Sequence, residues 1–452
     1  MRVIVIGGGK VGQTIIRHLS TEGHDVAVID TDSSVITDIT DNYDVMGVVG
    51  NGASYSVQKE AGIEDANLVI AVTDSDELNL LCCLFARKAG GCNTIARVRN
   101  PLYSSEIRYI KEELGLSMTI NPEYAAALEI ARLIRVPSAI KIETFARGRV
   151  EMLQVVIPQN SVLDGCSLMN ISSKVGVNVL VCAVERGGDV IIPNGQFVLR
   201  QGDTISIVAD PSRQRHFFTK IGINYHRISN TLIIGGGTIA YYLAKELIAA
   251  HIDVKIIERD EHRCEELAEL LPEAVVINAD ATDQDMLMEE GLDSCESFVT
   301  LTGIDEENIF LSLFAQQKNP NAKIITKTNK IAIDSIIGRL NLGSMIHPKD
   351  ITAEYILRYV RAMQNTIGSN VETLYNIVEH KAEALEFNIQ ADAPVIGIPL
   401  SELKTRDDVL IACIFRSGKI IQPNGQSRIQ EGDKVIVVTT KKGFGDIKDI
   451  LA

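Results

Sequence analysis

The chain has 452 residues and eight cysteines, yet no C-x-x-C pair. Cys82, Cys83, Cys92, Cys166, Cys182, Cys264, Cys295 and Cys413 mostly sit inside apolar segments. This argues against a redox role and reads as reduced, buried small hydrophobes of a cytosolic protein. No apolar run approaches the ~20 residues that span a bilayer, and the first residues already read as a strand. Neither a membrane helix nor a leader peptide is therefore expected. Positive charge is also short, with 44 Lys and Arg against 59 Asp and Glu, a formal net charge of −15. That balance argues against a nucleic acid polymer as partner, but it leaves room for a membrane protein with a basic cytosolic face.

Catalytic constellations are missing as well. An NAD-dependent dehydrogenase needs a proton-transfer group beside the nicotinamide, set in a substrate domain. The histidines are His18, His24, His216, His226, His251, His262, His347 and His380. Most lie near helix ends or in a linker, and none falls with an acid and a basic clamp. The chain is not expected to be an enzyme.

What is present is a glycine-rich turn, twice. Residues 3–12 read VIVIGGGKVG and residues 231–240 read TLIIGGGTIA. Gly7, Gly9 and Gly12 fit G-x-G-x-x-G; Gly235, Gly237 and Ala240 fit G-x-G-x-x-A. Each turn follows a β-branched strand pattern and precedes a helical one, with Ile15, Ile16 and Leu19 in the first copy and Leu243, Leu247 and Ile248 in the second. Each leads to a second strand ending in an acid, Asp30 or Glu258, 18 residues beyond the third motif position. This is the dinucleotide-binding fingerprint in its strand–turn–helix–strand–acid context. Gly7 gives the tight turn, Gly9 lets backbone N–H groups approach a pyrophosphate, and Gly12 lets the helix pack close to the strand. The helix N-terminus faces the phosphates. Asp30 is suited to both ribose hydroxyls and would repel a 2′-phosphate, which points away from NADP.

The duplication continues. VMGVVGNGAS aligns with AVVINADATD, placing Asn51 opposite Asp280 and Gly52 opposite Ala281. ANLVIAVTDSDELN aligns with CESFVTLTGIDEEN, placing Thr73, Asp76, Glu77 and Asn79 opposite Thr302, Asp305, Glu306 and Asn308. In the next strand Arg97 faces Lys327. Alternating strands and helices predict parallel sheets, with polar groups gathered at the strands' carboxyl ends. A helix closes each unit: Ala127, Ile130, Ala131 and Ile134 form an apolar stripe after Pro122, and Ala353, Ile356, Leu357 and Val360 form one after Pro348. Each stripe packs either on its own sheet or on a partner unit.

Each half ends in a smaller strand-rich module. Pro193-Asn194-Gly195-Gln196 matches Pro423-Asn424-Gly425-Gln426, and Gly202-Asp203 matches Gly432-Asp433. These turns read as structural, with Gly and Asn taking positive φ. A polar stretch from Pro211, with Arg213, Arg215, Lys220 and Arg227, reads as the linker between halves. The fold class is thus α/β: two Rossmann-like parallel-sheet N-lobes, each followed by a small α+β C-lobe.

This order resembles the tandem RCK (KTN) proteins of the TrkA family, regulatory subunits of the Trk potassium uptake system, over essentially the whole chain. The resemblance implies N-lobes at 1–120 and 223–346, crossover helices at 121–140 and 347–368, and C-lobes at 141–222 and 369–452. It implies a tetrameric ring on the inner face of the membrane, beneath a channel-like protein of the TrkH type. The cofactors it implies are NAD(H) and ATP/ADP. The residues that carry over are Gly7, Gly8, Gly9, Lys10, Val11, Asp30, Asn51, Gly52, Thr73, Asp74 and Arg97. In the second copy they are Gly235, Gly236, Gly237, Thr238, Ile239, Glu258, Asp280, Thr302 and Lys327. Ala240, and Gly303 opposite Asp74, depart from the pattern and point to a weaker second site. The alternative is a regulator of another cation transporter, such as a potassium efflux system, although such relatives usually carry the domain fused to membrane helices.

Overall fold

The computed structural model describes residues 1–100, 103, 106–137, 139–146, 149–209, 214–223, 228–329, 342–365, 371–377 and 381–452. They fall into two compact units. One joins Met1–Ala131 with Ser229–Leu357, and the other joins Arg132–Ile228 with Arg358–Ala452. The chain therefore alternates lobes in sequence but groups like with like in space.

The first unit holds both N-lobes. The first lobe runs β1 (Arg2–Ile6), α1 (Lys10–Thr21), β2 (Asp25–Asp30), α2 (Ser33–Asn42), β3 (Met46–Val49), α3 (Tyr55–Glu60), β4 (Leu68–Ala71), α4 (Asp76–Gly90), β5 (Asn93–Arg97), α5 (Ile107–Leu114), β6 (Met118–Ile120) and α6 (Pro122–Arg135). Its strands are parallel in the order β3-β2-β1-β4-β5-β6. The order reverses beside β1, which creates the crevice where such sheets bind ligands. Val3 to Ile6 are almost fully buried, as a central strand covered on both faces must be. Ser75 caps α4 by accepting the Leu78 N–H, and Gly91 ends that helix in the left-handed region at φ 64°.

In the second unit β7 (Lys141–Phe145), β8 (Val150–Val156), α7 (Ile171–Val175), β9 (Val179–Arg186), β10 (Asp189–Ile191), β11 (Thr204–Ala209) and α8 (Gln214–Lys220) form the first C-lobe. The second N-lobe, back in the first unit, comprises β12 (Asn230–Ile234), α9 (Thr238–Ala249), β13 (Asp253–Glu258), α10 (Glu261–Leu270), β14 (Val275–Asn278), α11 (Gln284–Glu289), β15 (Ser297–Thr300), α12 (Asp305–Lys318), β16 (Lys323–Lys327), β17 (Ser344–Ile346) and α13 (Pro348–Asn365). Its strand order, β14-β13-β12-β15-β16-β17, repeats that of the first lobe. β18 (Val371–Ile377), β19 (Ala382–Asn388), β20 (Val409–Arg416), β21 (Lys419–Ile421) and β22 (Lys434–Thr439) complete the second C-lobe.

The two stripes on α6 and α13 are buried, with Ala127, Ile130, Ile134, Ala353, Ile356 and Val360 all at 0% exposure. The start of α6 meets the other N-lobe. Tyr124 packs edge-on against Tyr242 of α9 at 5.3 Å and donates to Glu246 Oε1 at 3.2 Å. That contact is made by Tyr124, ahead of the stripe on the same helix.

The C-lobes share one core. Phe145, Met152 and Cys182 of the first cluster with Ala384, Cys413 and Ile436 of the second. The Ala146 N–H donates to Glu386 Oε2 at 2.9 Å across this contact. Their turns correct one sequence expectation. Positive φ falls on Gly202 (83°) and Gly432 (77°). Asn194 and Asn424 act instead through their side chains, whose oxygens accept the Gln196 and Gln426 N–H groups at 3.0 Å. The acids of the G-D turns also do more than turn the chain. Asp203 receives a two-pronged contact from Arg186 at 2.7 Å, and Asp433 receives the same from Arg416.

The polar linker is a second correction. It contains α8, whose Phe217 and Phe218 are buried, so part of the stretch is an amphipathic element and not a solvated linker. Arg213 and Arg227 lie outside the described residues.

Candidate functional site

The sequence-selected residues converge at the carboxyl ends of the parallel strands. In the first lobe the glycine turn joins β1 to α1, Asp30 ends β2, Asn51 and Gly52 follow β3, Thr73 and Asp74 follow β4, and Arg97 ends β5. In the second lobe Gly235 to Ile239 join β12 to α9, Glu258 ends β13, Asp280 follows β14, Thr302 follows β15, and Lys327 ends β16.

The glycines differ in what demands them. Gly7 has φ 103°, and a methyl there would lie 2.9 Å from the Thr73 nitrogen. A methyl on Gly8 would meet Val35 at 2.5 Å, and one on Gly12 would lie 1.9 Å from the Gly7 carbonyl oxygen. Those glycines serve packing, as does Gly52, where a methyl would meet Ile6 at 2.2 Å. At Gly9 and Gly237 a methyl would meet nothing within 4 Å, and both residues are exposed. Each of these glycines caps its helix without a side-chain acceptor, whereas Asp32 and Asp260 cap α2 and α10. The first N–H groups of α1 and α9 are the unsatisfied donors of a helix start, carrying its partial positive charge.

Lys10 and Val11 open α1, with Lys10 exposed and Val11 half-buried; Thr238 and Ile239 stand at the same places on α9, both half-buried. The acids hold the turns. Asp30 Oδ2 accepts the Gly8 N–H at 2.6 Å and its Oδ1 accepts the Asp32 N–H at 3.0 Å. Glu258 repeats this with Gly236 at 2.6 Å and Asp260 at 2.9 Å. A carboxylate oxygen accepts more than one hydrogen bond, so acceptor capacity remains at both positions. Asn51 and Asp280 stabilise their own turns by accepting from Ala53 and from Thr282. Those bonds from Thr282 hold the Asp280 carboxyl below its ordinary range.

Arg97 is 9% exposed. One of its nitrogens donates to the Thr73 carbonyl at 3.3 Å and lies 3.8 Å from Asp74, while another lies 3.9 Å from Glu123. Burial lowers the Arg97 pKa, Arg99 lowers it further, and the carboxylates of Glu123 and Asp74 oppose both. Lys327 is likewise lowered by burial; its ammonium lies 3.3 Å from the Leu301 carbonyl. Asp305 and Glu123 attract its charge and Lys10 repels it, so two first-lobe groups act on the second cleft.

Two residues outside the selection matter here. Glu123, in the first turn of α6, is pushed up by burial against the pull of Arg97 and Arg99. Its Oε2 and the Arg97 Nε are buried with no hydrogen-bond partner among the described residues. Asn79, at 0% exposure, accepts from the Thr73 N–H at 2.8 Å and hydroxyl at 2.7 Å, and donates to the Thr73 and Arg97 carbonyls. Asn308 repeats the backbone bonds with Thr302 and Lys327. The Thr-to-Asn spacing shared by the two copies was the signal for this clamp. Glu123 had none beyond its place after Pro122.

The buried His24 lies 3.8 Å from Glu22. His347 Nδ1 lies 2.9 Å from the Thr328 hydroxyl, and His262 is exposed beside Glu265. No helix among those residues is long and apolar enough to cross a membrane.

Comparison with known proteins agrees with this architecture. The TrkA-N domain model matches residues 3–122 and 231–348, and the TrkA-C domain model matches 152–222 and 384–452. The Trk system potassium uptake protein TrkA homolog of Archaeoglobus fulgidus is 32% identical, with 100% of each chain covered. A Methanosarcina mazei protein, Trk system potassium uptake protein TrkA homolog 2, is 31% identical, also over 100% of each chain. Among solved structures, the GsuK channel bound to NAD superposes with a TM-score of 0.62 at 18% identity, covering 97% of this chain and 77% of that one. That likeness supports the fold. With two TrkA-N and two TrkA-C domains and full-length relatives above 30% identity, this chain belongs to the TrkA family.

Proposed function

We propose that this chain is a nucleotide-sensing regulatory subunit of a potassium uptake system, binding NAD(H) and ATP or ADP in its N-lobes. The observation that carries the reading is the pair of uncapped helix starts behind Gly9 and Gly237, where nothing among the described residues fills the space a glycine leaves. Such a seat fits a pyrophosphate. Gly9 and the first N–H groups of α1 would hold the diphosphate. Asp30 would take the ribose hydroxyls, and the guanidinium of Arg97 would meet a terminal phosphate.

The partner on this reading is a TrkH-type membrane protein, and the regulatory assembly is a homotetrameric ring on the inner face of the membrane. The full-length relatives named as Trk potassium uptake proteins support a partner in potassium transport. Regulation follows from differential binding. A nucleotide moves a two-state assembly only as far as its affinities for the states differ, typically ~1–3 kcal/mol. No catalytic step is assigned to the chain.

Calorimetry of the purified full chain with NADH, ATP and ADP tests the reading. Binding that disappears at the first cleft in Gly9→Asp is expected. No heat with any of the three would remove it. Substrate-dependent NADH turnover that vanishes in Gly9→Asp would restore the dehydrogenase reading.

A further inference from the structure

Tyr242 connects the two clefts. It lies one turn into α9, the helix that starts at the second glycine turn, and is 7% exposed. Its hydroxyl lies 3.3 Å from the Arg99 carbonyl and accepts from Asn121 Nδ2 at 3.0 Å. Arg99 stands two residues beyond Arg97. Its own N–H donates to Asp76 Oδ2 at 2.8 Å, and its guanidinium donates to the Asp74 carbonyl at 2.6 Å. Asn121 also donates to the Arg99 carbonyl at 3.2 Å and caps the start of α6 by accepting the Tyr124 N–H at 2.9 Å. The Arg99 peptide is thus tied on one side to the strand ends that form the first cleft. On the other it is tied to the helix whose N-terminus forms the second.

The matching positions of the duplicate make other bonds. Thr14 occupies the matching place on α1, and its hydroxyl donates to Lys10 within the same helix at 3.0 Å. His347, at the place of Asn121, meets Thr328 of its own lobe. The polar relay from Tyr242 therefore runs from the second glycine helix to the first cleft.

We infer that Tyr242 is a positioning residue that couples nucleotide binding at the second cleft to affinity at the first. This rests on the nucleotide reading above. Phosphate engaging the first N–H groups of α9 acts along that helix. Tyr242 passes the displacement to the Arg99 peptide, and so to Asp74 and Arg97. The coupling must be reciprocal, each cleft changing the other by the same factor.

The test uses the full chain and ADP. Stepwise constants are measured for the unmodified chain and compared with the single constants of Gly9→Asp and Gly237→Asp, which close one cleft each. The expected departure from independence is about fivefold or more. Tyr242→Phe, which keeps the ring beside Tyr124, should return the clefts to independence. Tyr124→Phe removes the Glu246 bond from the same contact and should leave the coupling in place. Coupling that survives Tyr242→Phe, independent clefts in the unmodified chain, or equal loss in both variants would each overturn the inference. Absence of ADP binding at either cleft would overturn the nucleotide reading itself, which is a separate outcome.

Discussion

The buried Asn79 side chain donates to the Arg97 main-chain carbonyl at 3.0 Å, across the gap between two strand ends. Asn308 makes the same bond to Lys327 at 3.1 Å. Each asparagine fixes the spacing of β4 and β5, or of β15 and β16, where the polar groups of a cleft gather. Asn79→Ala should cost roughly 2–3 kcal/mol, because it strands buried donors and acceptors. It should also weaken nucleotide binding at the first cleft. Urea denaturation and calorimetry check both. An unchanged midpoint would mean that water replaces the amide without loss.

Asp30→Ala should weaken NADH and ADP binding by about tenfold or more, the scale of a hydrogen bond to a charged group. The fold should survive, since the carboxylate sits at a strand end and not in the apolar core. The loss has two sources, the ribose contact and the freed Gly8 N–H that Asp30 now holds at 2.6 Å. Unchanged affinity for both ligands would end the role given to Asp30.

The two clefts should be unequal, the first binding ATP about tenfold more tightly. Arg97 offers a fork where Lys327 offers a point charge, and Asp280 stands in the second cleft where the first has the neutral Asn51. The comparison belongs in the full chain, with Gly9→Asp against Gly237→Asp. Separated halves would expose the core that Phe145 and Cys182 share with Ala384 and Cys413. Equal affinities would show that these substitutions do not set the asymmetry.

Acid should unfold the C-lobe unit partly through Asp203. Burial would raise this carboxyl, but the Arg186 fork and the Arg200 N–H outweigh it and hold the pKa below the ordinary value. A depressed carboxyl binds its proton less tightly folded than unfolded. Its stabilisation is present above the unfolded pKa of about 4 and is lost as pH falls through the folded value. Asp203→Asn should therefore flatten the stability curve between about pH 5 and pH 2. At neutral pH it should cost roughly 1–3 kcal/mol, the partial exposure of Arg186 screening the pair. Parallel curves for the two proteins would refute this.

The sequence by itself determined the repeating elements and the placement of the candidate groups. Strand, glycine turn, helix and acid are local patterns, and a parallel sheet with right-handed crossovers sends their polar ends to one edge. The buried stripes of α6 and α13 were legible for the same reason, since helical periodicity is written in neighbouring residues. Tertiary structure alone decided which lobe meets which. Tyr124 and Glu246 are 122 positions apart, and Ala146 and Glu386 are 240 apart. No local period encodes such a pairing. It also decided what each polar side chain does. Glu123 becomes an acid beside Arg97 because α6 starts directly after β6, whose Ile120 pairs with Arg97, and Tyr242 becomes a link to Arg99 because the second lobe's glycine helix packs where α6 begins.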